Sequence, residues 1–159
     1  MSIHNLPIRL FDKKTDQKRV KAFFAQMGGE SRAFFNQGGW NEKNALAFFD
    51  DPETDTVKNT RYFMALDNDI MVGYLFLWDM HKTVVWLGIA VSEDWKGRGL
   101  GRDLMEHAEE YAKQAGKGGI MLTTGQANIR GLALYFRAGY EHLGTHTSGE
   151  RLFLKRFDT

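Results

Sequence analysis

Apolar and polar positions change period several times along the chain, and each change marks an element. Alternation from Pro7 to Phe11 predicts a first strand. Thr15 or Asp16 then stands where a helix cap is needed. Val20, Phe23, Phe24 and Met27 follow at helical spacing until Gly28 and Gly29 end the run. A glycine-rich aromatic stretch, Phe34 to Trp40, separates this from a second helix predicted over Asn41 to Phe49. The acidic cluster Asp50, Asp51, Glu53 and Asp55, with Pro52, interrupts the pattern. Arg61 to Leu66 and Ile70 to Trp78 read as strands joined by an Asp67-Asn68-Asp69 hairpin turn. Val84 to Val91 is almost continuously apolar, as a central strand covered on both faces would be.

The second half has the clearest helix. Leu100, Leu104, Ala108, Tyr111 and Ala115 repeat at spacings of three and four until Gly116. Gly119 to Thr124 predicts a short strand, and Asn128 or Thr124 stands ready to cap a helix running to about Ala138. Two closing strands follow, Tyr140 to Thr145 and Glu150 to Phe157. The order is strand, two helices, three strands, helix, strand, helix, two strands. It describes a mixed α/β layer and not a doubly wound repeat. The length of 159 residues suits a single domain spanning 1–159.

Composition narrows the functional classes. A net charge of +1 implies no strong field for nucleic acid or an acidic membrane, so neither is expected as a partner. With no cysteine there are no disulfides, thiolate metal sites or cysteine nucleophile. The first twenty residues mix charge and polarity, which suggests neither a signal peptide nor a membrane span, and a cytoplasmic location is the expectation. His142 and His146 share a strand face, but no clear third ligand accompanies them, so no metal is expected.

The densest chemical signal is Lys96-Gly97-Arg98-Gly99-Leu100-Gly101-Arg102, placed where a strand gives way to a helix. Glycine lets backbone amides converge on a ligand, and a helix start offers unpaired N–H groups and positive potential. Together with the cations, these make a dock for phosphate or pyrophosphate. A P-loop would continue Gly-Lys-Ser/Thr, whereas Gly101 is followed by Arg102 and Asp103. A dinucleotide fingerprint would need glycine where Arg102 stands. A glycine-rich turn with solvated basic residues is the plainer alternative.

This loop, the order of elements and a later segment together resemble the GNAT superfamily of N-acetyltransferases. Its loop motif, Gln/Arg-x-x-Gly-x-Gly/Ala, is matched by Lys96, Gly99 and Gly101, with Lys in place of Gln or Arg. Its later motif, an Asn, a Tyr seven residues on and Gly-Phe four residues after that, is matched by Asn128, Tyr135 and Gly139-Tyr140. The resemblance covers residues 60 to 157 well and the first 55 only by element order. It implies a mostly antiparallel central sheet of about seven strands flanked by about four helices and splayed at strands 4 and 5. It implies acetyl-CoA (coenzyme A) as cofactor, with pantetheine along Ile89, Ala90 and Val91. The pyrophosphate would rest on the backbone from Lys96 through Gly97, Arg98, Gly99, Leu100 and Gly101 to Arg102. Gly88 marks either a bulge that opens the sheet or close packing.

Transfer of an acyl group to an amine requires a neutral amine, a stabilised oxyanion and protonation of the leaving thiolate. With no cysteine and no Gly-x-Ser-x-Gly element, direct attack in a ternary complex is expected. Tyr135 is the candidate general acid, or else packs its ring on the sheet. Asn128 contacts the cofactor, caps the helix, or does both. Many relatives carry a glutamate on the fourth strand, about where Val85-Trp86-Leu87 lies here, so that role does not carry over. Asp79 and His81 are substitute base candidates, beside deprotonation by water. Glu30, Arg32, Phe34, Phe35 and Trp40 are acceptor-pocket candidates, because loops tend to carry specificity. The expected acceptor is a small-molecule amine; a protein N-terminus or lysine, and a non-catalytic acyl-CoA-binding module, are the alternatives. A homodimer is compatible with the resemblance.

Overall fold

Strand residues alternate between two separate cores, and that alternation builds the domain. On the strand Arg61–Asp67 (β2), Phe63 and Ala65 enter one core while Tyr62, Met64 and Leu66 enter the other. Such a strand is covered on both faces. The computed structural model describes residues 6–27, 41–125 and 128–157. Among these, a seven-stranded sheet runs in the order β1-β2-β3-β4-β5-β7-β6. The other strands are Ile8–Leu10 (β1), Ile70–Trp78 (β3), Val84–Val91 (β4), Gly119–Thr124 (β5), Glu141–Thr145 (β6) and Arg151–Arg156 (β7). Every pairing is antiparallel except the parallel β4–β5.

Helices Gln17–Ala25 (α1) and Asn41–Asp50 (α2) belong to one face, where Phe23, Phe24 and Ala45 meet Tyr62, Tyr74 and Phe76. Helices Leu100–Gln114 (α4) and Ile129–Arg137 (α5) belong to the other, where Leu104, Ala108 and Tyr135 meet Leu75, Leu122 and Phe153. Between α2 and β2 the structure adds a short helix, Asp55–Lys58 (α3), within the segment read as an acidic interruption. Its cause is local: the Val57 amide donates to the Thr54 hydroxyl at 3.4 Å, an N-cap that starts one turn. The described residues thus hold five α-helices where four were expected, plus a 3₁₀ turn at Glu93–Trp95.

Asp16 occupies the cap position of α1, yet makes no cap hydrogen bond. Its fully buried carboxylate instead accepts from Arg9 Nη1 at 2.6 Å, Arg19 Nη1 at 3.0 Å and the Asp12 amide at 2.6 Å. It pins α1 to β1 rather than capping the helix. No helix among the described residues is long and apolar enough to cross a membrane.

The decisive feature is where β4 and β5 part. They pair over Val84↔Gly119, Val85↔Ile120 and Trp86↔Met121, and no further. From Leu87 to Val91, β4 keeps β3 on one side and, among the described residues, has no strand on the other. Gly88 does not cause this opening by a bulge, because the β3–β4 register runs through Phe76↔Gly88 without a shift. It is a close-packing glycine: a Cβ there would lie 2.1 Å from the Phe76 ring.

Candidate active site

A cleft of about 1300 Å³ fills the gap between the parted strands. Its walls come from the free edge of β4, the start of α4, the inner face of α5 and the hairpin between β6 and β7. Ile89, Ala90 and Val91 line it, as expected for the exposed edge.

At one end lies the glycine loop. Gly97 (φ 75°) and Gly99 (φ 88°) both adopt the left-handed region that other residues avoid. The consequence is a run of amides with nothing to donate to. Among the described residues, the N–H groups from Gly97 to Arg102 find no protein acceptor, and the first helical bond is Asp103 N–H to Gly99 O at 3.1 Å. Among the described residues, nothing lies within 4 Å of where a Gly99 Cβ would sit. Open space, unpaired amides and a helix start fit an anion such as a pyrophosphate.

The side chains of the loop divide. Lys96 and Arg102 line the cleft. Arg98 turns away, with its guanidinium 3.9 Å from the centre of the Trp95 ring and donating to Asp94 O at 3.2 Å. Leu100 is buried in the core, so only its backbone is offered. Arg130 was not singled out from sequence. Its Nη1 lies 3.8 Å from the Gly97 Cβ position, adding a cation over the loop.

Helix α5 supplies the other end. The Asn128 side chain accepts from the Gly131 amide at 3.1 Å and donates to Thr124 Oγ1 at 3.1 Å. It therefore caps α5 and ties it to the end of β5. About two turns further on, Tyr135 is buried, its ring centre 5.9 Å from that of Phe153 and 6.2 Å from that of Tyr140. It also lines the cleft. Burial pushes its phenol well above the ordinary tyrosine range, and the nearby Glu150 charge pushes further in the same direction. Tyr135 is thus a protonated donor at any neutral pH.

The two base candidates are not brought into the cleft. Asp79 and His81 lie in the β3–β4 turn, with Asp79 paired to Lys82 at 3.3 Å and His81 exposed. Neither belongs to the lining. Glu30, Arg32, Phe34, Phe35 and Trp40 lie outside the described residues. The structure instead brings in residues that sequence reasoning passed over: Trp78, Trp86, Thr123 and Glu150. The Trp78 and Trp86 rings stack at 5.5 Å, and Glu150 Oε1 accepts from the Thr123 hydroxyl at 2.9 Å. No group of three or more metal-ligating side chains occurs among the described residues.

A sheet parted beside a glycine loop, with a buried tyrosine facing the gap, is the arrangement of an acyltransferase of the N-acetyltransferase type. The chain belongs to the acetyltransferase (GNAT) family, whose model matches residues 17–140. It is 30% identical over 118 residues to the uncharacterized N-acetyltransferase YvbK of Bacillus subtilis (strain 168), covering 71% of this chain and 74% of that protein. In fold it is similar to the GNAT domain of S. lividans PAT, with a TM-score of 0.81 at 17% identity, covering 94% and 89% of the two chains. It is likewise similar to yncA of Salmonella typhimurium, solved with its cofactor acetyl-CoA, with a TM-score of 0.73 at 18% identity, covering 98% and 95%.

Proposed function

We propose that the protein transfers the acetyl group of acetyl-CoA to the primary amine of a small molecule, by direct attack in a ternary complex. One observation carries this reading: the unaccepted amides from Gly97 to Arg102 and the buried phenol of Tyr135 face the same cleft. The first is a place for a pyrophosphate, and the second is a proton donor at the other end of the same cavity.

The residues present fit coenzyme A. The amides of Gly97, Gly99, Gly101 and Arg102 would hold the pyrophosphate, with the Arg102 and Arg130 charges beside it. The unpaired edge of β4 from Leu87 to Val91 offers backbone groups to an amide-bearing pantetheine arm, as an added strand would use them. When bound, acetyl-CoA supplies the acyl carbon and a thiolate leaving group. Tyr135 hydrogen-bonds to the sulfur as negative charge builds there. Asn128 keeps α5, and hence Tyr135, in register with β5. Leu104, Leu122 and Phe153 share a buried core cluster with Tyr135 and give its ring an apolar backing.

A compact acceptor suits the far side, where Trp78, Trp86 and the β6–β7 hairpin wall a recess. The test is release of free CoA thiol from acetyl-CoA across a panel of simple amines, amino sugars, amino acids and peptides. Turnover with at least one small amine, and faster than with peptides, is expected. Turnover confined to peptides would overturn the small-molecule assignment, and none with any amine would overturn transferase activity.

A further inference from the structure

Glu93, Glu106, Glu109 and Glu150 all bring carboxylates to the cleft. The first three are matched by cations: Lys96 at 3.2 Å, Arg102 at 3.8 Å and Lys155 at 2.6 Å respectively. Glu150 differs. Its hydrogen bond comes from the neutral Thr123 hydroxyl, and among the described residues no basic side chain pairs with it. A half-buried carboxylate facing a cavity without a counter-ion is a place for a cation.

Register explains why Glu150 points there. Thr123 pairs with Leu152 across β5 and β7, and side chains two apart on a strand share a face. Glu150 therefore lies diagonally across from Thr123, beyond the last paired rungs, where β4 and β5 have already parted. On β4, Trp86 pairs with Met121, two residues before Thr123, and so shares that face. The Trp78–Trp86 stack, its planes 24° apart, makes a flat wall of the same cleft. The hairpin that ends at Glu150 is itself fixed: His146 meets the Trp86 ring edge-on at 6.0 Å, and the Ser148 amide donates to His146 Nδ1 at 3.1 Å. A carboxylate and indole rings lining one cleft offer the chemistry that holds an organic ammonium, charge at its head and cation–π or apolar contact along its stem.

We propose that Glu150, Thr123, Trp78 and Trp86 form the acceptor subsite, that it takes a primary ammonium on a flat apolar stem, and that Glu150 removes its proton. The Thr123 hydroxyl occupies one lone pair of the carboxylate and leaves the rest for the incoming R–NH₃⁺. In the proton step one N–H bond breaks, its proton passes to Glu150, and a neutral R–NH₂ with a free lone pair remains. The carboxylic acid so formed loses its proton to solvent at the cleft mouth. Cations gather at the pyrophosphate end and this carboxylate stands at the other, so donor and acceptor are sorted by charge. This supplies, from the hairpin end just before β7, the base that β4 lacks. The proton step rests on the acetyltransferase reading; the binding step does not.

The binding test uses protein saturated with free CoA, which has no acyl group to transfer. Phenethylamine is titrated into it calorimetrically, with 2-phenylethanol as the uncharged comparison. Phenethylamine should bind, and Glu150→Gln should weaken it at least about tenfold while leaving CoA affinity within about twofold. Equal phenethylamine affinity in the two proteins, or no binding to the native one, would overturn the subsite. For the proton step, initial rates with acetyl-CoA should show Glu150→Gln lowering kcat about 100-fold. The residual rate should climb with pH toward the amine's own pKa, and Glu150→Asp should recover part of the loss. Native kcat and an unchanged pH profile in Glu150→Gln would overturn the base assignment while leaving acetyl transfer standing. Conversely, Glu150-dependent phenethylamine binding with no acetyl transfer to any amine would retain the subsite and sink the proposed function.

Discussion

Replacing Tyr135 with phenylalanine removes one oxygen and little else. The ring keeps its neighbours Phe153 and Tyr140, at 5.9 and 6.2 Å between centres, so the variant should fold. The size of the kinetic loss follows from two acidities. A thiol of the cysteine kind ionises near pH 8.5, and an ordinary phenol about 1.5 units higher, so handing the proton fully to the sulfur is uphill by about 2 kcal/mol. Burial and the Glu150 charge raise the Tyr135 phenol further. Unless the sulfur is desolvated as strongly, the phenol acts chiefly by donating a hydrogen bond to the developing thiolate. A hydrogen bond to a charged group is worth about 1.5–3 kcal/mol, which corresponds to a loss of about 10- to 150-fold in kcat.

That range lies below the upper part of what general acids contribute, about 10⁴-fold. The assay is initial-rate release of CoA thiol at saturating acetyl-CoA and acceptor, paired with calorimetric titration of acetyl-CoA. Tyr135→Phe should lower kcat within this range while acetyl-CoA affinity stays within about twofold, because the lost interaction strengthens only as charge develops. Unchanged kcat would remove Tyr135 from the chemistry. An equal fall in affinity and in kcat would refute the argument differently, by showing that the hydroxyl serves ground-state binding. The phenol's high pKa also means that no alkaline loss of rate below about pH 10 should trace to Tyr135.

Three further outcomes test the surrounding structure. Gly99→Val forces a β-branched residue into φ 88° and fills the open space beside the amides, so acetyl-CoA affinity should fall at least about tenfold by calorimetry, and native affinity would remove the loop from the donor site. Gly88→Ala puts a Cβ 2.1 Å from the buried Phe76 ring, and should cost about 1–3 kcal/mol in urea unfolding; no loss would mean that β3 and β4 separate freely there. For Asp16, burial favours the protonated form, but hydrogen bonds from Arg9, the Asp12 amide and Arg19 outweigh it and hold the carboxyl below its usual range. Its folded pKa being lowered, its contribution is complete above the ordinary carboxylate value and is lost as pH falls through the lowered one. Asp16→Asn should accordingly cost about 2 kcal/mol at pH 7, since Arg9 is partly solvated, and the deficit should shrink toward acid; a deficit independent of pH would contradict the ion-pair account.

The parts of the fold that could be read from sequence are those in which local pattern and tertiary burial agree. Ile70–Trp78, Val84–Val91 and Gly119–Thr124 were bounded to the residue because their apolar runs end at turns that also end the pairing. The short helix Asp55–Lys58 was not, because a single threonine cap outweighs the charge repulsion of its acidic surroundings. Asp16 shows the opposite error. A residue with the right type and place for a cap is drawn off by Arg9, which reaches it only once β1 lies beside α1.

The proposed donor side of the cleft was legible for the same reason that the proposed acceptor side was not. The loop Lys96–Arg102 and the span Asn128–Tyr135 each act within a few residues: a strand end, a turn and a helix start. Their spacing in sequence therefore is their geometry in space. Glu150 acquires its position only from the register of β7 on β5, through a contact 27 residues away in sequence, and Trp86, which lines the same cleft, from a parallel pairing between β4 and β5. The glutamate many relatives carry on the fourth strand has no counterpart on β4, and the substitutes nearest in sequence, Asp79 and His81, lie outside the cleft. A splayed sheet does not tie the base to β4, because once β4 and β5 part, the next strand over can aim a side chain into the gap from the far side. A domain of this shape can therefore keep a fixed donor half and move its base between strands without disturbing the loop. The Glu150→Gln pH profile measures that freedom.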